Sequence, residues 1–331
     1  MRLTSVQKAF LALIVANLLW GAGSPIFKLA LQNVPLFTLA FLRFSLGAVV
    51  LLIILRSRIF FTVHERKDLL LLIGYALAGI TFNIIFFFLG LTHTLAINGG
   101  VIASSAPIMT FFFALMFLHE TFSLKKFVGM LLGLAGIGVI VFEPLLKAGL
   151  DGSVVGNVYL LLATVGAVVA IVIGRDLFKR YSPLMLTFWA FVVSSATFLP
   201  LAVVDYLRNP ALYSSLDARG FTGIIWGVLF SSAAAYSLQA WGLARISATD
   251  TAMFTYIDPV SAAILSVILL HEPITALFLV GGALIFGGIW IAEGRLHYHP
   301  FHKLRTTKKP PKSLTSHAPI ERTEVIKRIF K

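Results

Sequence analysis

Few side chains in this sequence could do chemistry. Three ionisable residues, Lys28, Arg43 and Asp258, stand inside long apolar runs. A charge at membrane depth is costly and marks a functional site unless it is paired for structural reasons. Lys28 precedes Pro35 by seven residues and Arg43 follows it by eight. At 1.5 Å per helical residue, both lie roughly 10 Å from the turn between them. Two cations at one depth in a low dielectric repel unless an anion joins them. That anion could be a substrate carboxylate or Asp258. The alternatives are that Lys28 extends its apolar stem to the interface and that Arg43 pairs structurally with another helix. Asp258 in turn could bind a substrate amine, carry a coupling proton, neutralise Arg43 or form a structural salt bridge.

A second group is polar or amphipathic at the same depth: Asn17, Trp20, Asn83, Trp189, Tyr236, Gln239, Thr255 and Tyr256. Such residues could line a cavity, with the aromatics supplying contact area and the amides fixing orientation. Singly, each also serves as an ordinary hydrogen bond between helices. Gly21, Gly23, Gly99 and Gly100 permit close helix approach. Pro107 and Pro259 are helix-break positions, because proline lacks the N–H that an interior turn requires.

Other chemistry is excluded. His119-Glu120 and His271-Glu272 suggest a zinc protease, but H-E-x-x-H needs a second His, and positions 123 and 275 are Ser and Thr. Both pairs fall at helix ends, where helix termination or a gate-side hydrogen bond is the expected role. No G-x-S-x-G elbow, P-loop or carboxylate-rich metal motif is present. With no cysteine there is no disulfide, thiolate metal site or catalytic thiol. The chain is therefore expected to be no enzyme and to hold no metal or cofactor.

The elements that must position these residues follow from composition. Hydrophobic residues make up 58% of 331 and charged residues 12%, about half the charge of a soluble domain. The apolar surplus must face lipid. A span needs about 20 apolar residues, and runs of that length occur near 8–29, 36–55, 68–90, 95–118, 125–143, 153–173, 184–206, 220–241, 247–270 and 275–293. Continuous rather than alternating hydrophobicity makes these helices, not barrel strands. The first run lacks a small-residue cleavage site and reads as a retained span.

The net charge of +13 is a topology signal. Loops on one side carry Arg56, Arg58, Arg66, Lys67, Lys125, Lys126, Arg175, Lys179, Arg180 and Arg245; the other side has Lys147, Arg208 and Arg219. The positive-inside rule puts the N- and C-termini in the cytoplasm of a cell whose inner (plasma) membrane the chain crosses many times. Nucleic acid is then not an expected partner. From 296 to 331 the sequence becomes a basic, Pro-bearing cytoplasmic tail, expected to be largely disordered. Its end places Val325, Ile326, Ile329 and Phe330 at helical spacing among Lys and Arg, either as a solvated tail or as a helix resting on anionic lipid.

The chain also repeats. Gly90-Leu91 pairs with Gly242-Leu243, Pro107 with Pro259, Leu118-His119-Glu120 with Leu270-His271-Glu272, Gly129 with Gly281 and Gly136-Ile137 with Gly288-Ile289, each 152 residues apart. The unit holds about five spans, so successive units enter the membrane in opposite senses. The expected halves are 1–146 and 147–295. The fold class is an all-α polytopic membrane protein of about ten transmembrane helices in two inverted five-helix repeats. Inverted repeats with broken helices around a midplane site are typical of secondary transporters.

Leu19-Trp20-Gly21-Ala22-Gly23-Ser24, Lys28, Pro35 and Phe41-Leu42-Arg43-Phe44, with the segments Pro107 to Glu120 and Pro259 to Glu272, resemble the drug/metabolite transporter superfamily, with two EamA-type domains. The sixth span, with Ala163-Thr164-Val165-Gly166, has no Trp matching Trp20, and the seventh no base matching Arg43. The resemblance implies ten helices, a central cavity and movement of a small-molecule substrate, such as an amino acid, by alternating access and in the export direction, with a proton as a possible coupling ion. The other classes are a channel, a regulatory or scaffold membrane protein, and an intramembrane enzyme. Expected substrate-binding or pathway residues are Trp20, Lys28, Arg43, Asn83, Trp189, Tyr236, Gln239, Tyr256 and Asp258.

Overall fold

A computed structural model describes residues 4–56, 65–117, 124–148, 152–210, 213, 216–246, 251–252 and 254–293. His119-Glu120, the 247–250 segment and the basic tail lie outside the described residues.

The described residues form helices and connecting turns. In order they are α1 (Ser5–Ala30), α2 (Leu36–Leu55), α3 (Arg66–His93), α4 (Ala96–Ala103), α5 (Ala106–Phe117), α6 (Leu124–Ala148), α7 (Gly152–Arg180), α8 (Pro183–Arg208), α9 (Ala218–Leu243), α10 (Asp258–Leu270) and α11 (Ala276–Glu293). Six of them, α1, α2, α3, α7, α8 and α9, are long and apolar enough to cross a membrane. Counting α4 with α5 as one broken span, the bundle has about ten spans in two inverted halves. Arg175, Lys179 and Arg180, read above as loop residues, instead lie in the last turns of α7, because that helix runs past its apolar stretch.

The repeat is visible in local structure. The π-helical stretch Leu77–Phe82 inside α3 recurs as Trp226–Ala234 inside α9. Each widens a helix where its neighbours approach closely. Packing crosses between the halves in matching pairs. α1 packs on α9 and α10, and its counterpart α7 on α3, α4 and α5; α2 pairs with α8, and α6 with α11. The last pair meets through glycine. A Cβ on Gly136 would lie 2.8 Å from Ile285 N, and one on Gly288 would lie 2.7 Å from Gly133 N. Small residues let backbones approach where no hydrophobic force drives helices together in lipid.

Both broken spans restart at proline. A turn at Ser104–Ser105 separates α4 from α5, which begins Ala106-Pro107. A 3-10 turn over Phe254–Ile257 leads into α10, which begins Asp258-Pro259. Proline is tolerated in a first turn, whose N–H groups have no intrahelical acceptor. Each bundle end is tied by polar contacts. At one end Asp68 accepts from Tyr181 Oη (2.6 Å) and pairs with Arg180 (2.8 Å), joining the start of α3 to the end of α7. At the other, Asp205 accepts from the backbone N–H of Phe37 (3.0 Å) and Thr38 (3.2 Å), which caps α2.

Candidate functional site

The two halves enclose a cavity of about 150 Å³ walled by α1, α2, α3, α4, α7, α9 and the starts of α5 and α10. Helical periodicity explains the α1 wall: Trp20, Ser24 and Phe27 recur at spacings of four and three and share one face. Glycine brings α10 in. A Cβ on Gly100 would meet Pro259 Cα at 2.8 Å and Ala262 Cβ at 2.7 Å, and one on Gly21 would collide with the Asp258 backbone and Ser261. The absence of side chains at Gly21 and Gly100 sets how deeply Asp258 sits between α1 and α4.

Arg43 is 2% exposed. Its Nε donates to Ser232 Oγ (2.8 Å) and its Nη2 to Ser231 Oγ (2.8 Å). The guanidinium lies 4.7 Å from the Phe27 ring centre and 4.9 Å from that of Phe44, so ring quadrupoles supply part of the stabilisation that water no longer gives. Nη1 has no hydrogen-bond partner. Asp258 is 6% exposed, and its Oδ1 is also unpartnered, as is Oε1 of Gln239. Buried polar atoms without partners are rare and costly. Here three occur on residues of one cavity wall, and two of those residues carry opposite charge.

The rest of the wall is fixed by its own contacts. Trp20 Nε1 donates to the Ser231 carbonyl (3.0 Å), and its ring meets Tyr236 edge-on with centroids 5.1 Å apart. Tyr236 Oη donates to the Gly79 carbonyl (3.4 Å), so a hydroxyl of one half bonds the π-helical stretch of the other. Asn83 Nδ2 donates to the Ala163 carbonyl (2.7 Å).

Of the residues singled out from sequence, Trp20, Arg43, Asn83, Tyr236, Gln239 and Asp258 come together on this wall, and Thr255 joins them. Lys28, Trp189 and Tyr256 are not part of it. Trp189 packs against Phe188 and Tyr256 against Phe286. Lys28 Nζ instead bonds Glu272 Oε1 (2.7 Å) and the Thr94 carbonyl (2.7 Å). Lys28 and Arg43 therefore share no anion: Lys28 takes Glu272, and Arg43 takes two hydroxyls. Asn17 bonds its own helix at Leu13 (2.7 Å). The serines that hold Arg43 were missed from sequence. Their signal was the tandem Ser231-Ser232 interrupting an apolar run in the eighth span.

The profile of the EamA-like transporter family matches residues 7–142 and again 154–293. The chain belongs to the EamA-like transporter family. It is a membrane transporter built from two EamA domains. The chain is similar to the uncharacterized transporter YetK of Bacillus subtilis, at 26% identity over 285 residues, 86% of each chain. It is also similar to an uncharacterized transporter of Archaeoglobus fulgidus, at 25% over 292 residues, 88% of this chain and 99% of that one. A solved crystal structure superposes with a TM-score of 0.62 at 21% identity, covering 86% of this chain and 96% of that chain. It shares the fold.

Proposed function

We propose that this EamA transporter is a secondary carrier that exports small metabolites, amino acids or related zwitterions, by alternating access. The observation that supports this reading is that an unpartnered Arg43 Nη1 and an unpartnered Asp258 Oδ1 both lie on the wall of one cavity. A substrate carboxylate would meet Arg43, whose planar fork suits a carboxylate. A substrate ammonium would meet Asp258. Trp20 and Tyr236 supply rigid apolar contact for the remainder, and Asn83 and Gln239 add neutral polar groups. Asp258 is also the group that would carry a coupling proton in the empty carrier. The broken spans beside Pro107 and Pro259 supply a place where the halves can shift. The basic loops favour cytoplasmic termini and an inner-membrane location.

Counterflow in proteoliposomes tests this. Internal unlabelled substrate should accelerate uptake of the same labelled compound for at least one zwitterion in a metabolite panel. No acceleration for any compound overturns the carrier reading. Rapid flux that never saturates would replace it with a channel.

A further inference from the structure

At the bundle end where α1 finishes, a carboxylate is buried among three donors from two separate helices, α1 and α4. His271 adopts the left-handed conformation (φ 52) that ends α10, and the next residue, Glu272, is only 6% exposed. Its Oε1 accepts from Lys28 Nζ (2.7 Å) and from Ala96 N (2.8 Å), and its Oε2 accepts from Ile97 N (2.9 Å). Glu272 is thus the N-terminal cap of α4, a helix with no side-chain cap of its own, and is reached from 175 residues away. A carboxylate here meets both the free N–H groups and the positive end of the helix dipole.

The contacts continue outward. Lys28 also holds the Thr94 carbonyl. Thr94 Oγ1 donates to Asn157 Oδ1 (2.8 Å), which also accepts from Asn98 Nδ2 (2.9 Å), while Asn157 Nδ2 donates to the Ile140 carbonyl (3.0 Å). α1, α4, α6, α7 and the loop after α10 are therefore drawn together at one level. That level borders the cavity wall: Lys28 directly follows the lining residue Phe27, and Ile97 precedes the lining residue Gly99 by two. The side-chain bonds of Glu272 run to α1 and α4, so moving α1 away breaks the two Lys28 contacts, and moving the end of α10 away from α4 breaks those to Ala96 and Ile97.

We propose that Lys28 and Glu272 form the gate that shuts the cavity at this end, and that each transport cycle breaks and remakes their contacts with one another and with α4. This rests on the carrier reading, since a gate has meaning only if the cavity must open there. Glu272 is a gating residue and does not touch substrate.

The cysteine-free sequence makes a direct test possible. Ala103→Cys places one thiol on the cavity wall, and a membrane-impermeant maleimide is applied to the full chain from either face, in right-side-out and inverted vesicles. The thiol should react slowly from the Glu272 face. Adding Glu272→Gln should raise the rate from that face about tenfold, the change expected when a charge-assisted hydrogen bond holding one state is lost. Lys28→Met, which removes the ammonium and leaves the α4 cap, should produce a smaller rise from the same face; if Glu272→Gln does not fold, this variant decides alone. Unchanged labelling from that face overturns the gate, and so does an equal rise from both faces, which signals general loosening. No substrate is needed, so failed counterflow and failed gating are separate outcomes.

Discussion

Arg43 Nη2 donates a 2.8 Å hydrogen bond to the hydroxyl of Ser231, 188 residues along the chain. With Ser232 on Nε, two neutral hydroxyls hold a buried cation in place and leave its third nitrogen without a partner. A carboxylate in their place would neutralise Arg43 and remove its value as an anion site. The hydroxyls orient it without consuming its charge.

Ser231→Ala and Ser232→Ala should each destabilise the protein, by about 1.5–3 kcal/mol, because each leaves a charged donor buried and unsatisfied. Thermal unfolding in detergent measures this. A change within error for both would show that Arg43 has other means of support.

Arg43→Lys should fail although it conserves charge. A compact ammonium on a shorter reach cannot satisfy both hydroxyls and still present a planar donor pair. Counterflow of the responsive substrate should fall by about tenfold or more, the effect of losing one charged hydrogen bond. Retention of full transport would assign Arg43 a structural role.

Asp258→Asn should separate stability from transport. An unpaired buried carboxylate is an energetic burden, so the isosteric amide should unfold at the same or a higher temperature. Transport, or its dependence on a proton gradient, should be lost. Unchanged transport at every pH would remove Asp258 from both substrate and proton roles.

Gly100→Ala should destabilise and Gly138→Ala should not. The first Cβ would press on Pro259 and Ala262 at 2.8 and 2.7 Å, where backbone must move, and the second meets nothing within 4 Å. Overpacking of this kind costs about 1–3 kcal/mol, whereas an unhindered helical Gly→Ala gains roughly 0.5–1 kcal/mol. Thermal unfolding of the two variants side by side tests the contrast, and equal shifts would refute the tight approach of α4 to α10.

The sequence by itself determined the apolar spans, the two-half organisation, the break positions at Pro107 and Pro259, and which ionisable residues stand inside apolar runs. These are local or periodic properties: lipid demands a run of apolar residues, proline lacks the N–H that an interior helical turn requires, and a repeat of odd span number inverts. Only the tertiary structure decided partners. Lys28 and Arg43 sit at like depth in sequence, yet one pairs with Glu272, 244 residues away, and the other with Ser231 and Ser232. Trp189 and Tyr256 have the composition of cavity residues and lie outside the cavity, while Ser24 and Tyr75 line it. Depth along a helix follows from counting residues. Which face of that helix meets which neighbour depends on how the two halves cross, and that was set by close approaches such as Gly21 and Gly100 against α10, which no single segment encodes.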